Sequence, residues 1–137
     1  MNHAKPYRSL HVAFLLCFVC TAIAMENVTV DAETREFLLA SAASDFTVSE
    51  GNRRVEVRDV HLRYQEGDDG TMYFMLCGQF QSTGEGRIRG WSDFATIKTE
   101  GYEQWLGSQA KSHCLEAKRA RTTADLSAEL NARLPAR

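Results

Sequence analysis

"VEVRDVHLRYQEGDDGTMYFMLCGQF", residues 55–80, decides how this chain is read. Val55 and Val57 alternate with Glu56 and Arg58, the period of two of a strand with one buried face. Val60, Leu62 and Tyr64 continue the alternation with the opposite parity. The two sets can share a face only if an extra residue is inserted, so a β-bulge is expected near Arg58-Asp59. Asp69-Gly70, inside "EGDDGT" (66–71), is a strong turn signal between two strand-like runs. The next strand, expected over 71–81, is apolar on both sides of its pleat at Met72, Tyr73, Phe74, Met75 and Leu76. Such a strand belongs in the middle of a sheet with a layer packed on each face.

Before this hairpin, "DAETREFLLASAAS" (31–44) offers Asp31 as an N-cap, Glu33 in the first turn, and Phe37, Leu38 and Ser41 on one side. This pattern predicts a helix over 32–43, ended by the polar "SEGNRR" with Gly51-Asn52 as its turn. After the hairpin, "STGEGRIRG" (82–90) reads as a glycine-rich loop leading into a third strand over about 87–98, with Ile88, Trp91, Phe94 and Ile97. Beyond Gly101, Tyr102, Trp105, Leu106, Ala110 and Cys114 recur at helical steps and predict a helix that covers the sheet. Trp91, Phe94 and Trp105 are expected in the core, because so short a chain has few other large groups to build one. The last segment, "TTADLSAELNARL" (122–134), has Thr122 or Thr123 as N-cap and a thin stripe of Leu126, Leu130 and Leu134. It reads as an amphipathic helix or tail, free to fray or to dock on a partner.

The first 24 residues read as a cleaved secretory signal. Lys5 and Arg8 precede an apolar-or-cysteine run from Val12 to Val19, and Ala22-Ile23-Ala24 supplies an A-x-A site, so the mature chain is expected to start at Met25. The run falls short of the roughly 20 residues that a bilayer span needs. Any tie to a membrane is therefore expected only through the leader, and the product is expected in the periplasm or secreted. A single domain is expected over 25–121, with 122–137 appended to it. The chain has 16 basic and 18 acidic groups; without Lys5 and Arg8 the basic count falls to 14 and the net charge to −4. That balance argues against nucleic acid as a partner, since such binding comes from neutralising phosphates with Lys and Arg.

Cys17 and Cys20 leave with the leader, and Cys77 and Cys114 remain as a pair in an oxidising compartment. Cys77 lies in the expected central strand and Cys114 on the apolar face of the helix expected to cover it. A disulfide between them is the leading reading. A thiol nucleophile helped by His113 or His61, and a zinc site built from Cys77, Cys114, His113 and His61, are the alternatives. The nucleophile suffers because neighbours on a helix point about 100° apart, and zinc because its short paired spacings are missing. His61 otherwise reads as an exposed strand residue beside Asp59 and Arg63. The acidic Glu66, Asp68 and Asp69 lack the ligand spacing of a calcium loop and read as a solvated turn. No nucleophile elbow, metalloprotease, phosphate-loop or dinucleotide motif occurs, so no cofactor is expected.

Phe46, Cys77-Gly78, Gly86, Gly90-Trp91-Ser92-Asp93-Phe94 and Cys114 together resemble a group of small exported bacterial proteins of unknown function. The resemblance spans roughly residues 32–114. It implies an exported compartment and a two-cysteine framework, and no activity.

The fold expected is α+β: a three- to four-stranded antiparallel sheet packed by an N-terminal helix and by a C-terminal helix tied to it by a disulfide. The function expected is a non-enzymatic binding module for a protein, an envelope component or a small ligand. Its contact surface is expected at Gly84, Gly86, Arg87, Arg89 and Gly90. An inhibitor of a secreted or envelope hydrolase is the alternative, and an enzyme using Cys and His comes third.

Overall fold

The β-hairpin at the centre of the chain pairs β1 (Arg54–Glu66) with β2 (Met72–Gly84). Arg58 stands opposite Gln79 and His61 opposite Cys77, so three steps along β1 match two along β2. This is the expected bulge, and Asp59 absorbs it at φ 53°. Because of it, Val55, Val57, Val60, Leu62 and Tyr64 are all buried in one cluster. The computed structural model describes residues 28–84, 86–121 and 124–136. The expected cleavage before Met25 and the Thr122 and Thr123 caps lie outside them.

Among the described residues, five strands form an antiparallel ladder in the order β5-β4-β2-β1-β6, and a two-residue strand, β3 (Arg87–Ile88), pairs beside the end of β2. The others are β4 (Ser92–Lys98), β5 (Tyr102–Leu106) and β6 (Lys118–Arg119). The sheet is therefore wider than the three or four strands expected. The third strand is split, since no pairing spans 89–91. The larger difference lies at Tyr102–Leu106, where helical spacing misleads: this segment pairs with β4, placing Trp105 opposite Ala95 and Gln104 opposite Thr96. Only α2 (Gly107–Glu116) is helical, and it starts at Gly107 with φ +66°. Aromatic and apolar residues at steps of three and four also fit a short strand, and the open edge of β4 decides between them.

β2 sits in the middle of the ladder, as its two-sided apolar pattern requires. On one side Leu76 and Phe80 meet α1 (Ala32–Glu50) and α3 (Ser127–Arg133); on the other Met75 and Cys77 meet α2. Asp31 caps α1 by accepting from the Thr34 backbone N–H at 2.7 Å. The helix runs to Glu50, well past its expected end at residue 43. Phe46 holds the added turns, packing on Phe80 at 5.1 Å and edge-on to Phe94 at 5.2 Å. Phe94 is buried, whereas Trp91 and Trp105 are only part-buried at the rim.

The C-terminal stripe joins this core: Leu126, Leu130 and Leu134 are 5%, 0% and 7% exposed. The backbone explains why it docks. β6 pairs only with Arg63 and Tyr64, which leaves the rest of the β1 edge outside the ladder. The Asn131 side chain bonds both the N–H and the C=O of Val57 at 2.9 Å, as a neighbouring strand would. Leu126 N–H donates to Val60 O at 2.8 Å, and Ser127 Oγ accepts from Val60 N–H at 3.1 Å. The segment thus closes an edge that would otherwise invite pairing with another chain. Arg133 bridges Glu36 and Glu129, and Arg35 pairs with Glu129, tying α3 to α1.

Candidate functional site

Two surfaces stand out, one expected and one not. The expected surface is the glycine-rich segment, which is the tip of the β2–β3 hairpin. Gly84 pairs with Arg87 and Thr83 with Ile88, and Gly86 turns the chain at φ +71°. Gly84 lies close under the exposed Arg53 side chain, which would have to shift for a β-carbon there, 2.8 Å from Arg53 Cγ. Gly86, Arg89 and Gly90 are exposed, and Ile88 stands 70% exposed at the tip. At its base the Arg58 guanidinium lies 4.1 Å above the Trp91 ring. The five expected surface residues therefore fall at one hairpin end, Gly84 and Arg87 paired, Gly86 in the turn, and Arg89 and Gly90 following β3.

The second surface is a cleft of about 330 Å³ on the sheet face that α2 leaves open. The bulge creates it, because shifting the register puts His61 and Arg63 on the same face as Cys77 and Gln79. Asp93 comes from β4, Lys111 from α2 and Arg119 from β6, and the Cys77–Cys114 disulfide forms part of the wall. His113 is not part of it and packs on Trp105 at 5.3 Å.

Charge is unevenly satisfied across the cleft. Asp59 lies 3.8 Å from Arg58, and Asp93 accepts from Gln79 Nε2, whose own Oε1 accepts from Arg58 Nε. The acids are thus engaged along one wall. Opposite them, Arg63 and Arg119 stand directly across from each other on paired strands. Among the described residues no carboxylate pairs with Arg63, Arg119 or Lys111. Burial first, and the neighbouring Arg119 second, push the Arg63 guanidinium below its ordinary pKa. One Arg63 terminal nitrogen donates to Ala117 O at 3.2 Å, but Arg63 Nε and His61 Nδ1 are buried without a protein partner.

Cys77 and Cys114 are bonded, with Cα atoms 5.9 Å apart. Neither sulfur is then a thiolate nucleophile or a zinc ligand, which removes both alternative readings of the pair. The cleft lining is dominated by charged and polar side chains from β1, β2, β4, α2 and β6. The disulfide suggests an oxidising compartment, and no helix among the described residues is long and apolar enough to cross a membrane.

No protein-family model, no curated protein and no solved structure matches the chain. The hairpin tip is legible in the sequence, whereas His61, expected as an exposed strand residue, lies in the cleft instead. The bulge parity is the signal that could have found it, since it places His61 and Arg63 beside Cys77. Lys111 and Arg119 carry none, because they reach the cleft only through the packing of α2 and the pairing of β6.

Proposed function

We propose that this chain is a small non-enzymatic binding module, exported to the periplasm or secreted, that engages a protein or envelope component through the β2–β3 hairpin tip. The observation that carries this reading is Ile88, a large apolar side chain held 70% exposed on a strand-paired projection. The Arg58–Trp91 stack beside it supports the tip as the contact surface, because Arg and Trp are both enriched at binding hot spots. An inhibitor of an exported hydrolase is the narrower form of the same reading, with the tip entering a cleft. The exported-protein resemblance and the oxidised cysteine pair support the compartment.

A photo-crosslinking residue placed at position 88 in the exporting cell tests it, with position 48 as control because Val48 is 80% exposed on α1. A discrete adduct from position 88 and none from position 48 is expected. Equal labelling from both, or none from position 88, would overturn the reading.

A further inference from the structure

We propose that the cleft between the bulged strand β1 and helix α2 is a binding site for a small oxyanion, a phosphate, sulfate or carboxylate group, held by Arg63, Arg119, Lys111 and His61. This site is separate from the hairpin tip and does not depend on the function proposed for it.

Four observations converge. The cavity, about 330 Å³, has room for a small anion rather than a polymer. Arg63 and Arg119 are directly opposed across two strands, a like-charge pairing that costs stability unless an anion sits between them. Arg63 Nε and His61 Nδ1 are donors, or can become donors, that folding has stripped of water without supplying an acceptor. An occupant acceptor removes that penalty. Arg63 also has one terminal nitrogen fixed on Ala117 O, which orients its remaining edge, the planar fork that binds oxyanions in two-point fashion. Asp59 and Asp93 also line the cleft and Asp125 acts on His61, but Asp59 lies beside Arg58, Asp93 accepts from Gln79, and the three cations outnumber the two lining carboxylates. In a chain with more acidic than basic groups, a pocket with three cations that no carboxylate pairs is a local exception.

The fold gives the test an internal control, since His61 lies in the cleft while His113 stacks on Trp105. The full chain, disulfide intact, is titrated with inorganic phosphate, sulfate and succinate at constant ionic strength, and the histidine ring resonances are followed by NMR. Saturable movement of His61 with at least one of these anions, and none of His113, is the expected result. The anion that moves it identifies the phosphate-like or carboxylate class. Arg119→Ala and Lys111→Ala change exposed side chains, so they should fold, and each should weaken binding by about fivefold or more, in the range of a lost charge-assisted contact. Lys118→Ala, on the same strand but outside the cleft, should leave it unchanged. No saturable shift with any of the three anions, or equal weakening by Lys118→Ala, would overturn the site.

Discussion

Phe94 lies across the ladder from Gly78, and its ring fills the space that a β-carbon on residue 78 would need: such an atom would sit 2.7 Å from Phe94 Cε1 and 2.9 Å from Val60 Cγ2. The glycine after Cys77 is therefore a packing residue, and the fully buried ring above it is the centre of the α1 side of the core. Gly78→Ala should destabilise by about 1–3 kcal/mol, the range for overpacking a filled core. Phe94→Leu in the same chain should recover part of the loss, as denaturant melts would read. A Gly78→Ala chain as stable as the parent would contradict this packing.

The disulfide closes a loop between residues 37 apart and anchors α2 to the central strand. Reduction, or Cys114→Ser, should cost about 3–4 kcal/mol on the chain-entropy estimate. Peptide mapping without reductant should recover Cys77 and Cys114 in one linked fragment, and reduction should lower the melting temperature. The same treatment should also abolish the anion response of His61, because α2 supplies Lys111 and the sulfurs form part of the cleft wall. Separate, free-thiol peptides would refute the bond.

Asn131 stands in for a strand on the open edge of β1, bonding both backbone groups of Val57. Asn131→Ala leaves the pair without partners and should cost about 1–3 kcal/mol. Leu130→Ala, at a fully buried position, should cost about 2–5 kcal/mol. Ending the chain at residue 121 should expose the β1 edge and promote self-association, visible by light scattering. A monomeric truncated chain of unchanged stability would show that the edge needs no cover.

Acid should loosen the α1–α3 contact. Hydrogen bonds from Arg35, foremost, hold the Glu129 carboxyl below its ordinary 4.5, and hydrogen bonds from Arg133 do the same for Glu36. A carboxyl depressed by folding contributes stability above its unfolded pKa, and loses it as pH falls through the lower folded value. Asp45, raised by burial, works in the opposite sense and its contribution fades as pH rises. The melting temperature should therefore drop as pH falls below about 4.5, and Glu129→Gln should flatten that drop while lowering the plateau at neutral pH. Parallel curves for parent and variant would exclude this pair as a source of acid sensitivity.

Residues 55–80 alone determined the hairpin, its bulge and the central place of β2, because alternation and its change of parity are local patterns that burial must satisfy. The Asp31 cap and the Cys77–Cys114 pairing were legible for a similar reason: a cap needs only its own first turn, and an apolar strand with an apolar helix face expected to cover it brings their two cysteines together. Tyr102–Leu106 was not legible, since a five-residue segment with two aromatics fits a helix or a strand and only the free edge of β4 selects the strand. Nor was the docking of Leu126, Leu130 and Leu134, which answers backbone groups on β1 that lie far away in sequence. Beyond His61 and Arg63, which the bulge parity places beside Cys77, the cleft belongs to tertiary structure. Its cations come from β1, α2 and β6, and electrostatic proximity across distant segments has no period or spacing for a sequence to display.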